Sequence, residues 1–149
     1  MKPTVNKKAY FDYEILEKIE AGIVLTGNEI KQIRSGKISL GESFVFLKDG
    51  EAYLQNAHIP VYEKGTSGAY DPTRNRKLLL KKDQIEFLLG KLAGSNLTII
   101  PTKLYFKRGF AKIEVALARG KKKYDKREAI KKKEQQREAA RYLRKEKLK

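Results

Sequence analysis

Apolar residues become sparse after Ala118. Up to that point Ile, Leu, Val, Phe and Tyr recur in short runs. The last 31 residues, Arg119 to Lys149, instead hold 15 of the 34 Lys and Arg and only 5 of the 18 acids. A segment so charged and so poor in apolar side chains cannot offset the entropy of ordering its own chain. Any core must therefore come from the first 118 residues, a length suited to one globular domain. The expected organisation is a body over residues 1–120 and a basic tail over 121–149. The chain has no cysteine, so it has neither disulfides nor thiolate metal ligands. Met1 to Lys8 lacks the apolar segment of a signal peptide, and no stretch approaches the roughly 18 apolar residues of a membrane span. A cytoplasmic protein without membrane contact is expected.

Within the body, short apolar runs alternate with turn signals, which predicts strands. Tyr10 to Leu25 carries Tyr13, Ile15 and Ile19 at odd positions with acids between them, a strand pattern with a bend near Glu20-Ala21-Gly22. Thr26-Gly27-Asn28-Glu29 is a capping box opening a short helix through Arg34, and Gly36 stands where the helix should stop. Ser43–Leu47 and Ala52–Leu54 flank Asp49-Gly50, a strong hairpin signal. Residues 63–75 read as a mobile loop. Asp83-x-x-Glu86 predicts a second capping box. Ile85, Leu88, Leu89 and Leu92 predict one helix face, and Gly94 its end. Leu97–Phe106 and Phe110–Ala118 surround Lys107-Arg108-Gly109 as a second hairpin. Five or six strands with short helices predict a mainly β fold. A small closed antiparallel barrel of the oligonucleotide-binding type removes exposed edges; a half-open sheet with helices on one face is the alternative.

Catalytic chemistry finds little support. His58 is the only histidine, which rules out the usual Ser-His-Asp and Cys-His arrangements, and between Ala57 and Ile59 it reads as a packed strand-end residue. There is no Walker-type phosphate loop. Asp12, Glu14, Glu17 and Glu20 read as a solvated strand edge rather than a metal-dependent nuclease centre. No catalytic residue, cofactor or metal is expected, and the chain is read as a non-enzyme.

The cations carry more information. Arg74, Arg76 and Lys77, with Lys81 and Lys82, surround an apolar triplet, as expected near phosphates. Lys103, Lys107, Arg108 and Lys112 extend the basic character across the last hairpin, interleaved with Tyr105, Phe106 and Phe110. Cations combined with exposed aromatics bind unpaired bases. In the tail, Asp125-x-x-Glu128 is another capping box ahead of good helix formers. Ile130, Tyr142, Leu143 and Leu148 make no continuous apolar face, so the free tail is expected to be disordered and to become helical where phosphates neutralise it.

Four groups of residues recur in a familiar order and spacing: Glu20-Ala21-Gly22-Ile23; Gly27-Asn28-Glu29-Ile30-Lys31; Asp71-Pro72-Thr73-Arg74 with Arg76-Lys77-Leu78-Leu79-Leu80; and Gly120-Lys121-Lys122 with Asp125-Lys126-Arg127. Together they resemble the small protein B, or SsrA-binding protein, family, the tmRNA partners of bacterial trans-translation. The resemblance covers nearly the whole chain, from about Asn6 through the tail. It implies a barrel that binds the tRNA-like domain of tmRNA, acting as a monomer when bound to RNA. It also implies a tail that occupies the decoding centre and empty mRNA channel of a stalled ribosome, against small-subunit rRNA, for ribosome rescue and tagging of the nascent peptide. By position, Glu20, Leu79 and Lys112 correspond to tmRNA-binding residues, with Tyr13 and Arg34 as further candidates. Lys121, Lys122, Lys123, Asp125, Lys126 and Arg127 correspond to the ribosome-binding tail. Leu79 is either a base-facing contact or a core residue. Glu20 either holds a neighbouring cation or accepts from a base or ribose. Asn28 and Tyr124 depart from the Thr and His common in the family. A ribosomal or translation-factor-like RNA-binding protein acting without tmRNA is the competing reading.

Overall fold

The computed structural model describes residues 2–65, 68–121, 130–131 and 133–137. The chain divides into two units, 1–119 and 120–149. In the first unit the elements run β1 (Thr4–Val5), α1 (Lys7–Asp12), β2 (Tyr13–Ile23), α2 (Gly27–Arg34), β3 (Phe44–Lys48), β4 (Glu51–Gln55), β5 (Arg76–Leu79), α3 (Lys82–Leu92) and β6 (Leu97–Lys107), followed by β7 (Phe110–Gly120), which ends one residue past the division. No helix among the described residues is long and apolar enough to cross a membrane.

The strands form a closed antiparallel ring in the order β6-β3-β4-β5-β2-β7, which returns to β6, while β1 extends the β3 side of β6. The seventh strand, beyond the five or six expected, is the two-residue β1, too short to leave a sequence signal. Both hairpins close as their turn residues require. Asp49 and Gly50 have φ of 52° and 74°, and Arg108 and Gly109 of 53° and 80°, the paired positive values of a two-residue turn whose twist matches the strands. Inside the ring, Ile33, Leu54, Ile59, Leu104 and Ile113 are fully buried. Each is worth roughly 1.5–3 kcal/mol relative to exposure.

The capping box of α2 is present as expected: the Thr26 side chain accepts from Glu29 N–H, and the Glu29 carboxylate accepts from Thr26 N–H at 2.9 Å. Elsewhere the local expectations need correction. Residues 10–12 belong to α1 rather than to a strand. Asn6 caps this helix by accepting from Ala9 N–H, while its amide donates to Leu40 and Pro101 carbonyls; those partners are distant in sequence, so no local pattern announces the helix. Helix α3 begins at Lys82 with Lys81 at its cap position, two residues ahead of the expected Asp83 cap. Gln84 Oε1 accepts from Lys81 N–H at 2.9 Å and Asp83 Oδ1 from Gln84 N–H at 3.1 Å. Lys81 has no acceptor to complete the box. Leu89, placed on the buried face by its spacing, is exposed. His58 is exposed too: its backbone bridges Ser39, while Ala57 and Ile59 on either side point into the core. Residues 68–75, part of the stretch read as a mobile loop, are tied to the body, for instance by Ile59 N–H to Pro72 O at 3.0 Å.

In the second unit, described residues 130–131 and 133–137 are helical with exposed side chains. Lys122, Lys123, Asp125, Lys126 and Arg127 lie outside the described residues.

Candidate nucleic-acid interface

On β2 the even-numbered residues Glu14, Leu16, Lys18 and Glu20 face outward. On β7 and β6 the outward side carries Lys112, opposite Tyr105, and Glu114, opposite Lys103. Because β2 and β7 are neighbours in the ring, these side chains form one charged surface. At its hairpin end lies a cleft of about 390 Å³ lined by Glu20, Lys107, Arg108, Phe110 and Lys112.

Glu20 is the organising group of this cleft. Its Oε2 accepts from the Tyr105 hydroxyl, and Lys107 Nζ stands 3.6 Å from its Oε1. The Tyr105 hydrogen bond, aided by Lys107 and Lys112 and opposed by partial desolvation, holds the Glu20 carboxyl below the usual carboxylate range. Burial and the facing Glu20 push the Tyr105 phenol up to about 12, so it remains a donor at neutral pH. The Glu20 charge is thus balanced locally by Lys107 and Lys112 and by the Tyr105 hydroxyl. Phe110 is 70% exposed beside it.

Leu79 belongs to the same surface. It pairs with Gly22 across β5 and β2, and it is 56% exposed, so it is a surface side chain and not part of the core. A Cβ on Gly22 would lie 3.3 Å from Leu79 Cβ and Cδ1; the bare glycine lets Leu79 lie across β2. Gly22 is two residues from Glu20 on the same strand face, about 7 Å by strand geometry. Glu20, Leu79 and Lys112, far apart in sequence, therefore share one face of the barrel.

The other candidates fall elsewhere. Tyr13 is about 23 Å along β2 from Glu20 by strand geometry. There it packs with Ala9, Ile100 and Ala118 and lines a separate cleft with Asn6, Lys8 and Phe44. Arg34 is exposed and stacks over Phe106, its guanidinium carbon 4.6 Å from the ring centroid. Phe106 points to the opposite strand side from Tyr105, so Arg34 sits around the hairpin end from the cleft. Lys77 is exposed, its Nζ 2.9 Å from Glu51 Oε1. Lys121 is half-buried.

Arg76 corrects the expectation of a phosphate contact. It is 0% exposed. Its Nε donates to Glu29 at 2.7 Å, Nη1 to the Ala57 and Arg74 carbonyls, and Nη2 to the Pro72 carbonyl and Tyr70 hydroxyl. All five guanidinium hydrogens are committed, so this side chain offers RNA no surface in this conformation. Arg74, partly exposed, also donates to Glu29. Glu29 itself is 1% exposed. Burial alone would raise its pKa, but Arg74, the Thr26 N–H and Arg76 outweigh that effect and hold it at about 2. This cluster clamps the 68–76 segment onto α2.

Asp12 closes α1, Glu14 lies 3.6 Å from Arg119, and Glu20 answers to Tyr105. The acids considered for a nuclease centre are therefore dispersed. Among the described residues no group of three or more His, Asp or Glu is placed to hold a metal ion. Residues whose role the sequence leaves open are Tyr105, Lys107, Arg108 and Phe110. Their type and spacing mark them as basic and aromatic, but only the strand register shows which of the aromatics face out. Gly22 carries no chemical signal at all.

Comparison with known proteins covers both units. The family model for SmpB protein matches residues 4–145. An SsrA-binding protein of Sulfurihydrogenibium sp. (strain YO3AOP1) is 56% identical, over 89% of this chain and 88% of that protein. One of Latilactobacillus sakei subsp. sakei (strain 23K) is 54% identical, over 94% and 90% respectively. Among solved structures, a chain described under "tmRNA-SmpB: a journey to the center of the bacterial ribosome" superposes with a TM-score of 0.69. It shares 47% identity and covers 87% of this chain and 95% of its own length.

Proposed function

The chain belongs to the SmpB protein family, and from that premise we propose that it binds tmRNA and works with it on the bacterial ribosome in trans-translation. It is an RNA-binding adaptor rather than an enzyme. The observation that carries this reading is the outward surface around Glu20, a face that Leu79 and Lys112 share through tertiary structure and where Lys107, Arg108 and Phe110 add charge and a stacking ring.

The two parts of the chain divide the work. The body, residues 1–120, binds the tRNA-like domain of tmRNA through this surface, with Lys112 on phosphate and Leu79 against a base or ribose. Arg34, Arg74 and Lys77 are exposed or partly exposed cations that extend the field attracting RNA. The tail, residues 121–149, is the ribosomal part. Lys121, Lys122, Lys123, Lys126 and Arg127 neutralise small-subunit rRNA, while Asp125 caps a helix that forms along the decoding centre and empty mRNA channel.

The test is a salt titration of the full chain against an isolated tmRNA tRNA-like domain, with elongator tRNA and duplex RNA as competitors. Preference for the tmRNA domain that survives at about 0.15 M salt is the expected result, because phosphate-only binding fades there. Equal and steeply salt-sensitive binding to all three would overturn the adaptor reading.

A further inference from the structure

We propose that the cleft between Glu20, Phe110 and Lys112 is a subsite for one unpaired guanine, read by the Glu20 carboxylate and stacked on Phe110, with Tyr105 as the residue that positions the carboxylate. The inference rests on the reading of this face as an RNA interface, and it names the nucleotide that the face selects.

The argument begins with hydrogen-bond capacity. A carboxylate offers about four lone-pair sites on two oxygens. Tyr105 occupies one on Oε2, and Lys107 lies near Oε1 at 3.6 Å. One acceptor site on each oxygen is left. Such a pair is complementary to two adjacent N–H donors. Among the four bases only guanine presents these, as N1–H and the N2 amino group on its Watson–Crick edge. Adenine and cytosine set a single exocyclic donor beside a ring nitrogen that would repel the carboxylate. Uracil flanks its one N–H with two carbonyl oxygens, which repel it as well. These edges are accessible only in an unpaired nucleotide.

The surroundings suit the same ligand. Phe110, 70% exposed, offers a ring face to a base, and such stacking strengthens binding without regard to base identity. Lys107, Arg108 and Lys112 line the cleft and are placed for the flanking phosphates. The cleft's volume of about 390 Å³ falls within the roughly 300–1,000 Å³ of small-ligand pockets. The Tyr105 ring is anchored in the β6–β7 ladder opposite Lys112. Its hydroxyl fixes the Glu20 rotamer before RNA arrives, which reduces the ordering cost of binding.

The test uses the full chain and short fluorescent RNAs of sequence UUGUU, UUIUU, UUAUU and UUCUU, followed by anisotropy at about 0.15 M salt. Inosine lacks only the N2 amino group. The guanine probe is expected to bind roughly tenfold more tightly than the inosine probe. Glu20→Gln should bring that ratio below about twofold. Phe110→Ala should weaken all four probes together and leave the ratio intact. Tyr105→Phe keeps the ring and loses the donor; it should lower the guanine–inosine ratio with Tm unchanged, a split that a merely structural role would not give. Equal binding of the guanine and inosine probes by the unaltered protein, or a ratio that survives Glu20→Gln, would overturn the subsite. If tmRNA preference persists while the guanine ratio is absent, the subsite alone falls. A guanine ratio without tmRNA preference removes the adaptor reading and leaves the subsite standing.

Discussion

Glu29 is 1% exposed and receives hydrogen bonds from Thr26 N–H, Arg74, Arg76 and the Tyr70 hydroxyl. Its pKa falls from 4.5 to about 2 on folding, and the sign of the linkage follows. A depressed carboxylate stabilises the fold above its unfolded value, and that contribution is lost as pH falls from about 4.5 toward about 2. The shift corresponds to about 3 kcal/mol. Thermal unfolding of the wild type should therefore lose stability across that window, while Glu29→Gln should be less stable at neutral pH and flatter through it. A variant as acid-sensitive as wild type would remove Glu29 from the account. Replacing Arg76 by Met leaves Glu29 without its most buried partner and should cost roughly 3–5 kcal/mol, with its effect on stability rather than on RNA contact. Lys112 and Leu79 should behave in the opposite way. Lys112→Ala is expected to weaken tmRNA binding and lower the salt slope by about one. Leu79→Ala, at an exposed position, should change stability by only about 0.5 kcal/mol while weakening RNA binding; a large loss of Tm would make it a core residue after all. Residue type alone did not separate these cases. Arg74, Arg76 and Lys77 look alike as a basic run, yet one is partly exposed, one buried and one fully at the surface.

At the level of elements, legibility followed the range of the stabilising contact. The capping box of α2 is closed within four residues, and Thr26→Ala should cost about 1 kcal/mol in chemical denaturation; an unchanged midpoint would mean that tertiary contacts alone hold that helix start. Both hairpins were legible because their turns need positive φ at two adjacent positions, which Asp49-Gly50 and Arg108-Gly109 supply. By contrast, α1 depends on Asn6 reaching the Leu40 and Pro101 carbonyls, contacts 34 and 95 residues away. Its residues therefore read as part of the following strand. The expected Asp83 cap failed for a different, purely local reason. Asp and Gln side chains within one turn can both serve backbone donors, and Gln84 takes the outer one. On α3 the periodicity marks Leu89 as buried, but the barrel covers the stripe of Ile85, Leu88 and, in part, Leu92 and leaves Leu89 outside.

For the whole molecule, the ring is completed by the long β6–β7 ladder and by short pairings such as Gly22–Leu79 and Ile23–Leu78. The strand pairings that close this ring all lie within residues 1–120. Deleting residues 121–149 should therefore leave the Tm and the tmRNA affinity of the body largely unchanged at moderate salt, while peptide tagging on stalled ribosomes is abolished. Tagging that survives the deletion would end the proposed division of labour. The sequence by itself determined where the core could form, the turns, the short-range caps and the concentration of positive charge in the tail, because each depends on residues close together in the chain. Only the tertiary structure decided that Arg76 is sealed inside, that Leu79 lies over Gly22 at the surface, and that Tyr105 orients Glu20 beside Lys112. Those outcomes depend on strand order and register, and so on which side chains meet across the ring.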